Sequence, residues 1–209
     1  MSTATTGTLG VDFDDAVLGQ GLPPLAEAAL CEAGAQRGDA PRAMAALMRA
    51  QTLAPEHPAV LIALYRHHFY GHRLSPARDV ARRALVAGAT ALGLPACWRE
   101  VPLQPLAGAR DEPVTRFYLF TLKGYAYLSL RLGDDTEARD ALALLRHLDP
   151  DDRVGGALVE AVRQRALVGD DPDEDAPSIP PAFGAAAWAR LAPGPRGNTL
   201  RPRLEATPP

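Results

Sequence analysis

The densest run of side chains able to do chemistry is Tyr65-Arg66-His67-His68-Phe69-Tyr70-Gly71-His72-Arg73. His68 and His72 stand four residues apart, a spacing that can bring two imidazoles to one helix face as metal ligands. A stable site needs further donors. No glutamate lies near the two histidines, and Gly71 falls between them, where a helix can break. The cluster His67/His68/His72 is therefore the alternative reading, a metal-binding protein or enzyme. The plainer expectation is that these histidines edge a surface or bond locally.

The other reactive residue types point away from catalysis. Cys31 and Cys97 are the two cysteines, with no CxxC spacing, so reduced thiols are expected. Cys31 is expected at a buried packing position and Cys97 in a more exposed loop. Asp134-Asp135 and Asp151-Asp152 lie at predicted helix starts, where carboxylates cap free N–H groups and face the positive end of the helix dipole. No phosphate-binding glycine loop, nucleophile elbow or HExxH motif occurs. The sequence predicts no enzyme activity and no cofactor.

Bulk properties narrow the class further. The net charge of −3 divides into acidic ends and a mildly basic middle, far from the basic stripe of a nucleic-acid binder. No apolar run is long enough to span a membrane. The first residues lack a basic segment followed by an apolar core, so a cytoplasmic location is expected.

Helical elements must position whatever function the chain has. Proline and glycine punctuation predicts helices at about 24–37, 40–53, 58–72, 75–91, 114–132, 134–148 and 153–168. Ser75 is the expected N-cap of the fourth, followed by Pro76. Residues 93–113 carry four prolines and form a connecting loop, with Trp98 expected to pack back onto the helices. Residues 1–20 read as a disordered segment, 21–168 as the helical domain, and 169–209 as an acidic, proline-rich, mostly disordered tail. Within that tail Phe183–Leu191 could form one short helix.

A repeat runs through the domain. Gly38, Ala43, Leu47, Ala50 and Pro55 recur at the same spacing as Gly133, Ala138, Leu142, Leu145 and Pro150, with Ala77, Ala81 and Ala84 between them. This pattern resembles the tetratricopeptide-repeat (TPR) family, whose unit is about 34 residues in two antiparallel helices. Setting Pro55 at the family's terminal proline puts Leu30, Cys31, Ala43, Leu47 and Ala50 on its small or apolar positions. The next unit matches through Leu61, Leu64, Ala77 and Ala84, and the third through Leu122, Tyr125, Ala126, Ala138 and Leu142. Glu27 and the missing proline of the second unit depart from the pattern. The resemblance implies an all-α, right-handed solenoid of about three helix pairs plus a C-terminal capping helix.

By that resemblance the first helix of each pair lines a concave groove. The groove positions hold Arg66, Phe69 and Tyr70, then Phe120, Lys123, Tyr127 and Arg131, and finally Arg165. Arginine forks and aromatic faces suit an acidic, aromatic-bearing peptide. The expected function is a non-catalytic adaptor or assembly factor that binds such a segment of a partner protein. The alternative is that Phe69, Phe120 and Tyr127 are core residues and the charges a solvated face. Asp170–Asp175, or the segment around Phe13, could self-dock in the groove; the plainer reading is that acidic tails aid solubility. A self-associating structural protein is a third reading.

The stretches Arg116–Asp134 and Leu148–Gly155 are also similar to small repeat proteins encoded beside nitrogen-fixation genes in bacteria. That similarity implies an accessory protein for assembling or protecting a metalloenzyme such as nitrogenase.

Overall fold

A computed structural model describes residues 21–107 and 112–168. Among them the fold is all-α: α1 Pro24–Ala35, α2 Ala40–Leu53, α3 Pro58–Tyr70, α4 Leu74–Ala91, α5 Pro113–Arg131, α6 Asp135–Leu148 and α7 Gly156–Val168. The expectations for residues 1–20 and 169–209, including the Phe183–Leu191 helix, fall outside the described residues.

Proline in the first turn opens α1, α2, α3 and α5, a position where its missing N–H costs no hydrogen bond. Asp39 and Asp134 cap α2 and α6 by accepting from the backbone N–H of Arg42 and Glu137. The first and third helices end two residues earlier than expected, and two helix starts also differ from the expected ones. The fourth helix starts at Leu74, so Ser75 lies inside it and no side chain caps its end. The seventh helix starts at Gly156, because Asp152 (φ 51°) and Gly155 (φ 75°) first turn the chain. Asp152 still serves the helix start, accepting from the N–H of Ala157 at 3.1 Å.

Consecutive helices pack in chain order, and α5 also touches α7. Their directions follow from cross-contacts. A Cβ on Gly88 of α4 would lie 3.2 Å from the Phe117 ring of α5, while Arg78 reaches Asp134 beyond the far end of α5. These two helices are therefore antiparallel. Phe69 meets Tyr127, and Ile62 and Tyr65 line a niche with Phe117 and Thr121, so α3 and α5 run parallel. Arg163 of α7 pairs with Asp135, and a Cβ on Gly156 would meet Leu145, so α7 opposes α6 and parallels α5.

One core runs through the stack. Its largest fully buried members are Tyr118, Tyr125, Phe117, Leu61, Leu64, Leu85, Leu119, Leu122, Leu128 and Leu148. The small residues Ala43, Ala46, Ala50, Ala77, Ala81, Ala138 and Ala141 are buried between helices and let them approach closely. Cys31 corrects one expectation: it is exposed. α1 buries the face of Ala26, Ala29 and Ala33, and its main packing partner among the described residues is α2.

The segment between α4 and α5 straps across the array. Trp98 and Val101 are buried, and Trp98 packs edge-on against Tyr125 at 6.0 Å, as its position in the loop suggested. A 3-10 turn at Trp98–Glu100 holds it there. Leu106 donates its N–H to the carbonyl of Leu148 at the end of α6.

Candidate partner-binding groove

Helical spacing puts Tyr65 and Phe69 one turn apart on α3, and their rings stack at 5.6 Å with planes 12° apart. Phe69 continues across to Tyr127 of α5 at 6.2 Å and meets Tyr70 edge-on at 5.6 Å. Arg131 closes the row: its guanidinium donates to the Tyr127 hydroxyl at 3.0 Å and stands over that ring. The result is a ring ladder spanning two hairpins, with Phe69 and Tyr127 half-buried and Tyr70 48% exposed. At the foot of the ladder Leu61, Ile62, Tyr65, Ala81, Ala84, Phe117 and Thr121 surround an apolar niche of about 10 Å³, room for roughly one water.

The expected groove residues thus divide. Phe69, Tyr70, Tyr127 and Arg131 come together. Arg66 sits one turn before Tyr70 on α3 and is partly exposed. Phe120 lies two turns before Tyr127 on α5, with the guanidinium of Arg116 and the ammonium of Lys123 near its ring. Arg165 is exposed in the last turn of α7.

Lys123 does not line the groove as expected. It is 8% exposed, and its ammonium donates to the carbonyl of Val154 in the α6–α7 turn. Burial pulls its pKa down to about 8, while Asp152 and Asp149 draw it partly back. The same turn is tied by Asp149, itself buried, which accepts from the N–H of Val154 at 2.9 Å. The reason for the difference is α7: it packs over this part of α5 and closes the surface that Lys123 would have faced.

The histidines also part company. α3 ends at Tyr70, and His72 follows in the left-handed region (φ 55°), so His68 and His72 share no helix face. His68 is buried and its Nδ1 has no hydrogen-bond partner among the described residues. Burial and then Arg73 hold both His67 and His68 below the ordinary histidine pKa. Among the described residues no three His, Cys, Asp or Glu side chains gather as a metal ion would require.

Two features were not anticipated from the sequence. Arg163 of α7 is buried, pairs with Asp135 at 3.0 Å and Glu160 at 2.9 Å, and is held more basic than usual by those bonds. Its signal was faint: an arginine one turn after Val159 on a mixed helix. The second is a network behind the groove. The Tyr125 hydroxyl donates to Glu137, which also binds Arg99, whose guanidinium lies 4.2 Å over Trp98. Arg99 and Glu137 lie 38 residues apart, and nothing in the spacing announces their pairing.

Charge is distributed unevenly. Arg42, Arg49, Arg78, Arg82, Arg83, Arg99, Arg139, Arg153 and Arg163 each hold a carboxylate. Arg66, Arg131 and Arg165, the groove arginines, hold none among the described residues.

Comparison with known proteins places the chain in a family. It is 38% identical over 150 residues to the "uncharacterized 19.8 kDa protein in nifW 5′ region" of Azotobacter chroococcum mcd 1, covering 71% of this chain and 84% of that relative. The chain belongs to the family of that protein. No family model and no solved structure matches it.

Proposed function

We propose that this chain is a non-catalytic adaptor or assembly factor of the TPR type, a right-handed solenoid that binds an acidic, aromatic-bearing segment of a partner protein. The observation that carries the reading is the ring ladder Tyr65–Phe69–Tyr127 with Arg131 over one end and Arg66 beside it. Partly buried aromatic rings give a ligand area to cover at little entropic cost. Arginines without carboxylates supply charge-assisted hydrogen bonds to its acids. Chain-order packing of antiparallel helices agrees with the solenoid, as does burial of the repeat positions Leu61, Leu64, Ala77, Leu122, Tyr125 and Ala138.

The relative's position in the nifW 5′ region favours a cytoplasmic role in nitrogen fixation, as an accessory protein in assembling or protecting a metalloenzyme such as nitrogenase. The test is co-purification from nitrogen-fixing cells, comparing wild type with Arg66→Glu/Arg131→Glu. One nitrogen-fixation protein retained by wild type and lost from the double variant, with helical content unchanged, is the expected result. Equal retention by both proteins would remove the groove as the site.

A further inference from the structure

The arginines that hold no carboxylate are not scattered. Among the described residues they are Arg37, Arg66, Arg73, Arg131, Arg146 and Arg165. Five of these six lie toward one end of the array. α1, α3, α5 and α7 run parallel, because short turns reverse the chain between them and because Phe69 meets Tyr127 and Arg163 meets Asp135. Arg37 follows α1, Arg66 and Arg73 flank the end of α3, Arg131 ends α5, and Arg165 is in the last turn of α7. The acids at that end, Asp39, Asp79, Asp134, Asp135 and Glu137, are each already held by an arginine, namely Arg42, Arg82, Arg78, Arg163 and Arg99. Cations there do favour the helix dipoles, but that leaves their outward faces without anions.

The chain leaves α7 at this same end. Directly after Val168 and Gly169 comes Asp170-Asp171-Pro172-Asp173-Glu174-Asp175. Packed helices lie about 8–10 Å apart, so the ends of α7, α5 and α3 span about 20 Å. Six extended residues reach about 20 Å. The acidic run is thus the right length and charge, and starts at the right place, to cross all three helix ends.

We propose that the acidic run Asp170–Asp175 is bound by the basic edge formed by Arg165, Arg131, Arg66 and Arg73, as an intramolecular ligand that a partner's acidic segment must displace. This rests on the groove reading above. Tethering supplies a local concentration on the order of millimolar, enough for weak salt-sensitive pairs to persist, and it raises the threshold for any partner with too few acids.

The experiment uses the full chain carrying Cys31→Ser, Cys97→Ser and Ser178→Cys, with a nitroxide label at position 178. Paramagnetic broadening of backbone amides is read at residues 70–73, two helices away from the tether, and at Glu56 and His57 as the opposite end. The comparison chain also carries Asp170→Asn, Asp171→Asn, Asp173→Asn, Glu174→Gln and Asp175→Asn. The expected result is broadening at 70–73 that falls at least threefold in the neutralised chain and in high salt, with little at Glu56 and His57. No broadening at 70–73, or equal broadening with the neutralised run, overturns the proposal. If it fails this way while Arg66→Glu/Arg131→Glu still abolishes partner capture, the groove reading stands and the tail inference alone falls.

Discussion

Replacing Lys123 by methionine tests whether that side chain belongs to the interior or to the groove. Its ammonium is buried against Val154. The fold lowers its pKa to about 8 from an ordinary 10.5. One pH unit is worth ~1.4 kcal/mol, so keeping the charge inside costs about 3 kcal/mol at neutral pH. The sign follows from proton binding. Between pH 8 and 10.5 the unfolded chain holds the proton and the folded chain has released it, so stability rises with pH. Above pH 10 the buried phenols work the other way: burial pushes Tyr118 up to about 12 and also raises Tyr65 and Tyr125. Urea unfolding from pH 7 to 9.5 therefore isolates the lysine. Wild type should gain about 1.5 kcal/mol between pH 8 and 9.5 relative to Lys123→Met. A difference that stays flat would mean the ammonium is solvated, and would return Lys123 to the groove. Partner capture should be the same for both proteins.

His68 should make the fold acid-sensitive. Its folded pKa lies below the ordinary 6.5, so stability is complete above 6.5 and is lost as pH falls below it; His68→Leu should lose less stability than wild type between pH 6.5 and 5 in the same urea assay. Trp98→Ala removes the anchor of the strap from its contact with Tyr125 and should cost about 3 kcal/mol, with amide exchange accelerating first at residues 98–106. Exchange unchanged there would show that the strap is held by other residues.

The hairpins were legible because their determinants are local. Proline at first turns, aspartate caps and alanine spacing each act within a few residues, and Gly133 ends a helix by its own positive φ of 80°. The ring ladder was half legible. Phe69, Tyr70 and Tyr127 follow from repeat phase, whereas Tyr65 is given no repeat position and joins the ladder only once α3 lies beside α5. Lys123 was misplaced because its exposure depends on where α7 docks. That in turn depends on the turn Asp149–Gly155 and on Arg163, neither of which has a periodic signature. Cys31 was misplaced for the opposite reason: its position is buried in an internal repeat, whereas α1 packs mainly on α2 among the described residues.

The most direct test of the central claim is photo-crosslinking in the native cell, with p-benzoylphenylalanine placed singly at Tyr70, on the groove lip, and at Val86 and Met48, exposed on α4 and α2. The account predicts a covalent adduct with one partner from position 70 and none from 86 or 48. Adducts from 86 or 48 with none from 70 would place the partner on the second helices and contradict it.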